Sequence, residues 1–302
     1  MIMAMQPPIG AYKGRNTEEQ FGRKEIKSYG AAHPFSRALI DACEIEKLRG
    51  ISVPVNWLDV MCASGMFFLK VILPYYEELR GQKPGDYPFL EAYLNDAREG
   101  PLKILEEKGY AGRTICCTVE DLPLQEPFRT YKRITERYGL KDSAGLEIIQ
   151  KELTAMRYVL DTDGIVVLGE MTAYSREAQE GIIEVHATKQ RLAGRDEATE
   201  GRCYIPLPEE WKTVLKNAGF SVITEYGRFT SDVETMQWKD QFGKKTENEK
   251  MEMIAIMNQT ILGVCKANPV FEKELNVRSE VVEGRQVVKL DFPIMVFAAQ
   301  PW

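Results

Sequence analysis

Val55-Asn56-Trp57-Leu58-Asp59-Val60-Met61-Cys62-Ala63-Ser64-Gly65-Met66-Phe67-Phe68-Leu69 is the stretch whose reading decides the fold. Its opening apolar run suits a buried strand, an acid lies near the end of that run, small residues make a tight turn, and an apolar segment of helical character follows. Strand, turn and helix in that order form a ligand-binding edge. The unpaired N–H groups of the helix start and the small turn let a nucleotide-like ligand approach the backbone closely. The carboxylate then selects among ligands. A dinucleotide pyrophosphate favours G-x-G-x-x-G with no anion beneath it, whereas Asp59 favours a cationic amino or sulfonium group. Strand, turn and helix occur in every α/β protein, so the motif alone leaves other Rossmann-like domains open.

Length and composition set limits around this motif. The 302 residues, 44% of them hydrophobic, are enough for one large or two small domains with an ample core. A net charge of −6 disfavours a surface that tracks phosphates, and no basic patch offsets it, so no nucleic-acid partner is expected. The six cysteines, at 43, 62, 116, 117, 203 and 265, form no C-x-x-C pair and no set of zinc ligands. They read as reduced thiols with no metal, and a cytoplasmic protein is expected. No segment has the pattern of a signal peptide or the length of a membrane span.

Further elements follow in order. Residues 89–96 read as a second strand ending in Asp96, followed by an amphipathic helix to about Lys108 and preceded by an extra loop at 80–87. Arg113-Thr114-Ile115-Cys116-Cys117-Thr118 is a third strand that runs into Val119-Glu120-Asp121-Leu122-Pro123, and residues 131–140 carry a fourth. Leu146, Ile149, Leu153, Met156 and Leu160 recur at helical spacing, and Ile165-Val166-Val167-Leu168-Gly169-Glu170 is a fifth strand. Pro206-Leu207-Pro208-Glu209-Glu210 opens a helix that Gly219 is placed to cap, residues 221–226 form the next strand, and the apolar run to Gln300 is the last.

Leu58-Asp59-Val60-Met61-Cys62-Ala63-Ser64-Gly65 resembles the first motif of the class I S-adenosylmethionine-dependent methyltransferases, in which glycine is common where this chain has Met61 and Ala63. The 118–123 segment is similar to the family's G-D-A-E-D-L-P-F, residues 131–140 to its F-D-x-I-x-x-R-y-g-L-h, and Ala218-Gly219-Phe220 to its a-G-F ending. The order of these motifs over the chain from Val55 onward carries the resemblance. It implies a doubly wound α/β fold with a seven-stranded, mostly parallel sheet and an antiparallel last strand. To this are added a helical N-terminal segment (1–50) and insertions at 171–204 and 227–285, the second helical, within a domain spanning 51–302.

The same resemblance implies S-adenosylmethionine as cofactor and a small-molecule acceptor. Asp59, Cys62, Ala63 and Gly65 would hold the donor's amino-acid half, and Asp96 with Ala97 would meet the ribose hydroxyls, which a carboxylate can accept in pairs. Thr118 takes the place of the acid that faces adenine, with Val119 and Glu120 beside it. Arg137 stands at the carboxyl end of the fourth strand, where Lys132 replaces the usual acid at its start. Tyr138 and Tyr174 are the candidate substrate contacts. Methyl transfer needs a base only for some acceptors, and His33, His186 and Glu170 are the candidates, with Glu136 an alternative. Two other classes stay open: a fold that binds S-adenosylmethionine or another ligand without transfer, and a protein methyltransferase.

The insertions are where a substrate would be read. Residues 251–262 form a helix apolar around much of its circumference, which must be buried against the core, a second subunit in a homodimer, or an apolar substrate. In the N-terminal segment Tyr12, Phe21, Tyr29, His33 and Phe35 precede a helix with Leu39, Ile40, Cys43 and Leu48. These aromatics read either as a cover over the cofactor or as ordinary packing.

Overall fold

The computed structural model describes residues 33–301, apart from 64, 66, 108–109, 111, 128–129, 195–202, 244 and 283. Tyr12, Phe21 and Tyr29 lie outside the described residues. Helix α1 (Pro34–Ala42) is followed by strand β1 (Val55–Val60), then a π-helical turn, Phe68–Ile72, that runs into α2 (Leu73–Gln82). Strand β2 (Leu90–Asp96), α3 (Glu99–Glu107), β3 (Arg113–Cys116) and a short α4 (Leu122–Gln125) come next. They lead to β4 (Tyr131–Arg137), α5 (Leu146–Val159) and β5 (Leu160–Met171). After β5 come α6 (Arg176–Leu192), α7 (Pro208–Asn217) and a long β6 (Val222–Glu234). The chain ends with α8 (Glu247–Ala267), α9 (Pro269–Glu274), β7 (Arg278–Val282) and β8 (Arg285–Gln300).

These strands form one sheet in the order β3-β2-β1-β4-β5-β8-β6, with β7 also paired to β8. β1 to β5 are mutually parallel, and β8 runs antiparallel to both β5 and β6. The seven expected strands are present with the expected antiparallel partner, and β7 is an eighth. The order reverses between β1 and β4, so the crevice outside their carboxyl ends is a topological switch point, where open α/β sheets bind ligands.

Period-two alternation sorts the strand residues onto two faces. Val55, Trp57, Ile165, Val167, Ile294 and Val296 pack with α1, α2 and α3 on one face. Leu58, Val60, Ile134, Val166, Leu168 and Phe297 pack with α5 and α7 on the other. In α5 the buried Ile149, Leu153 and Met156 recur at four and three residues, which puts one apolar stripe on the sheet. α7 starts as its residues direct, with Pro208 in the first turn and the Glu210 carboxylate accepting the Leu207 N–H at 2.9 Å.

A third core lies beyond the carboxyl ends of the central strands. β8 pairs with β5 only from Ile294 onward, and its earlier residues pair with β7 on that side and with the end of β6 on the other. This β6–β8–β7 arm packs on α6, α8 and α9 around Trp238, Phe242, Phe271, Leu290 and Phe292. The helix expected over 251–262 is longer, Glu247–Ala267, and it begins at a capping box between Thr246 and Glu249. Its Ile254, Met257, Ile261 and Val264 are buried within this same chain, while Ile256 on the other side is exposed. Its need for burial is therefore met by the chain's own core.

Candidate functional site

The turn after β1 has a backbone that its residues do not favour. Met61 (φ 51°), Ala63 (φ 50°) and Gly65 (φ 65°) all lie in the left-handed region, although only the last is glycine. Each non-glycine residue there costs on the order of 1–2 kcal/mol, so the surrounding structure must over-determine the shape. The Cys62 N–H donates to the Asn95 carbonyl at 2.9 Å, the Gly65 N–H to the Cys62 carbonyl at 2.8 Å, and the Ala63 N–H to Asp96 Oδ2 at 2.9 Å. At Gly65 a side chain is also disfavoured, because of the left-handed backbone and because a Cβ would lie 2.8 Å from Leu94 Cδ1, which would have to shift.

Asp59 is held beneath this turn, 5% exposed. The Thr135 hydroxyl donates to its Oδ1 at 2.6 Å, and the Trp57 indole N–H donates to that hydroxyl at 3.2 Å. A carboxylate so enclosed favours a cation at the switch point. Burial first, then the charges of Asp59 and Asp96, push the Cys62 thiol well above its ordinary range, so it stays protonated and is not a nucleophile at neutral pH.

Asp96, at the end of β2, has both oxygens engaged. Oδ1 accepts from the Arg98 N–H at 2.9 Å and Arg98 Nε at 2.8 Å, while Oδ2 accepts from the Ala63 N–H and from an Arg98 terminal nitrogen at 2.9 Å. Four donors saturate the acceptor capacity of a carboxylate. A ribose diol reaches Asp96 only if Arg98 turns aside.

At the end of β3 the Asn95 side-chain amide donates to the Ile115 and Cys117 carbonyls at 3.0 and 2.9 Å, which ties the exit of β3 to β2. The Thr118 hydroxyl donates to Asp121 at 3.0 Å. Val119 is buried and Glu120 exposed, in a 3-10 turn, Val119–Asp121. Ala97, whose carbonyl lies 4.0 Å from the Cys116 sulfur, is at the same edge.

Across the switch point, β4 ends in a second strained position, Tyr138 (φ 62°). Its ring stacks on Phe35 at a centroid distance of 5.5 Å, and Phe35 meets Phe229 of β6 at 5.9 Å. The Arg137 guanidinium lies 4.5 Å from the Phe67 ring and 5.6 Å from the Tyr138 ring. Aromatic groups from α1, the end of β4 and β6 thus pack together on the α1 face of the sheet. On the opposite face of the sheet, Glu136 and Glu170 are fully enclosed, and burial first, then the neighbouring Glu170, raises the Glu136 carboxyl.

His33 is the N-cap of α1, its Nδ1 accepting the Phe35 N–H at 3.3 Å. His186, on α6, stands 3.8 Å from Asp142 and beside Gln190. Tyr174, 42% exposed at the start of the α6 insertion, lies under the Arg228 guanidinium at 5.3 Å. Lys132 is at the far end of β4, paired with Asp161 and Asp163. Among the described residues no group of histidine, cysteine or acidic side chains is arranged to hold a metal.

Arg98 and Thr135 escaped the sequence reading, although each left a trace. Arg98 is the first cation after a strand-end acid, and Thr135 is a small polar residue in a strand that must be buried on both faces. Phe35 and Tyr138 were singled out in the sequence, but Phe67 and Phe229 left no trace, because they come from distant parts of the chain.

No protein-family model matches the chain, and no curated protein matches it. Solved structures do match the fold. The YcgJ protein of Bacillus subtilis aligns over 88% of this chain and 99% of its own at 15% identity and a TM-score of 0.60. A candidate methyltransferase (BH2331) of Bacillus halodurans aligns over 87% and 99% at 16% identity and a TM-score of 0.55. A loganic acid methyltransferase crystallised with SAH aligns over 96% and 98% at 10% identity and a TM-score of 0.57. The chain therefore has the Rossmann-like fold found in class I methyltransferases.

Proposed function

We propose that the protein transfers a methyl group from S-adenosylmethionine to a small-molecule acceptor. The observation that carries this reading is the turn at 61–65. Its three left-handed residues, two of them not glycine, sit between the buried carboxylates of Asp59 and Asp96. Strain kept at a switch point marks a shape that the function needs.

When bound, S-adenosylmethionine supplies an electrophilic methyl on a sulfonium. The chain's part is alignment and exclusion of water. Asp59 offers its charge to the cationic amino-acid half, and Asp96 accepts the ribose hydroxyls once Arg98 has moved. Thr118, Val119 and Glu120 flank the adenine. Tyr138 and Phe229, backed by the buried Phe35, would wall the α1 side of the crevice, where an acceptor with an apolar body would lie. A cytosolic location is supported by six cysteines, none of them in a disulfide. No helix among the described residues is long and apolar enough to cross a membrane.

A second reading, ligand binding without transfer, is favoured by the Arg98 guanidinium on Asp96. Methyl-labelled S-adenosylmethionine incubated with phenolic, amine and carboxylate acceptors decides between the two. Label in an acceptor supports the first, and donor binding with no label in any acceptor supports the second.

A further inference from the structure

Glu136 and Glu170 stand at the carboxyl ends of the neighbouring strands β4 and β5, 1% and 0% exposed. Two enclosed carboxyl groups in hydrogen-bonding contact cannot both be ionised, so one carries a proton and donates it to the other. Each also accepts a backbone N–H from the loop after β4. Gly139 donates to Glu136 Oε1, and Leu140 donates to Glu170 Oε1 at 2.8 Å. The two Oε2 atoms are buried with no donor on either, and a proton held between the two carboxyl groups would satisfy both.

That loop touches the turn after β1. A Cβ on Gly139 would lie 2.7 Å from Met61 Cβ and 2.8 Å from Glu136 Oε1, so the backbone is wedged between the acid pair and left-handed Met61. The loop also carries Tyr138, whose N–H donates to the Gly169 carbonyl at 3.1 Å and whose carbonyl accepts from Lys141 Nζ at 2.7 Å.

We propose that Glu136 and Glu170 are positioning residues that share one proton and, through it, hold the 138–140 loop against the 61–65 turn in the shape that binds the donor. This rests on the reading of the crevice as a donor site. Ionising the second carboxyl sets two like charges against each other in an enclosed space, and the loop they hold is released.

Burial, then the neighbouring Glu170, raises the Glu136 carboxyl well above the ordinary range, against the Gly139 N–H and Lys141, which lower it. A raised acid contributes stability that is fully present below its unfolded value and is lost progressively as pH rises through the folded value. Other groups face the pair. Lys141 and Asp142 come from the turn Leu140–Asp142, Glu152 of α5 is pushed up to about 8, and the Cys203 thiol is pushed up to about 12. Glu152 is the confounding titration, and its variant is the control.

The test follows the thermal midpoint without ligand, and the affinity for S-adenosylhomocysteine by calorimetry, from pH 6 to 9.5. Wild type, Glu136→Gln and Glu152→Gln are compared. Wild type is expected to lose midpoint and affinity on the alkaline side, affinity by up to about tenfold per pH unit, the limit for one linked proton. Glu136→Gln keeps a neutral donor to Glu170 and an acceptor for Gly139, and should lose that decline, whereas Glu152→Gln should retain it. A flat wild-type profile, or an undiminished decline in Glu136→Gln, overturns the proposal. If Glu136→Gln does not fold, the wild-type and Glu152→Gln profiles decide it. Should S-adenosylhomocysteine bind at no pH, the donor-site reading fails, and the ligand-free midpoint still reports on the acid pair.

Discussion

The crevice between β1 and β4 and the core of the β6–β8–β7 arm lie at the same end of the molecule and follow opposite rules. The crevice collects buried acids, Asp59, Asp96, Glu136 and Glu170, and holds Met61, Ala63 and Tyr138 in left-handed backbone. The arm buries Ile254, Met257, Ile261, Phe271, Leu290 and Phe292, and it caps its long helix with Thr246 and Glu249. Where local preferences agree with the fold, the segment is there for stability. Where they are violated and held in place by neighbours, as at Met61 and Ala63, the strain is the ground for the function proposed above.

The largest effect should come from the arm. Phe271 is fully buried and seats on Gly181, where a Cβ would come within 2.4 Å of its ring. Phe271→Ala should cost about 3–5 kcal/mol and lower the calorimetric melting temperature by on the order of 10 °C. A loss under about 1 kcal/mol would mean that the arm is not a packed core.

A smaller effect of opposite sign is expected in the crevice. Arg98→Ala removes the group that saturates Asp96, so affinity for S-adenosylhomocysteine should rise, by roughly tenfold, since the competent form no longer has to be released. Weaker binding in the titration would show that Arg98 supports the ligand instead of competing with it. The smallest effect is Ala63→Gly. It relieves left-handed strain but loosens the unfolded chain, for a net gain of at most about 1 kcal/mol by urea unfolding. A loss of stability would contradict the strain assigned to this turn.

Much of this fold was legible because the central strands are apolar and end in recognisable turns. Asp59 and Asp96 were found at strand ends by that pattern alone. β4 was harder to read, since Arg133 and Glu136 are buried only because partners arrive from far along the chain. The Cys43 carbonyl accepts from Arg133 Nε at 2.5 Å across 90 residues, and Glu170 meets Glu136. β7 was invisible for the opposite reason. All five of its residues are exposed, and pairing with β8 alone makes it a strand. Residue type alone did not foretell the partners of the two histidines: His33 caps a helix, and His186, on α6, stands beside Asp142.

In the proposed function Asp59 and Asp96 hold the two halves of a sulfonium donor. Calorimetric titration of S-adenosylhomocysteine into wild type, Asp59→Ala and Asp96→Ala tests it most directly. One saturable site per chain in wild type, weakened roughly tenfold or more in each variant, is the predicted result. No binding in wild type, or equal affinity in all three proteins, would contradict it.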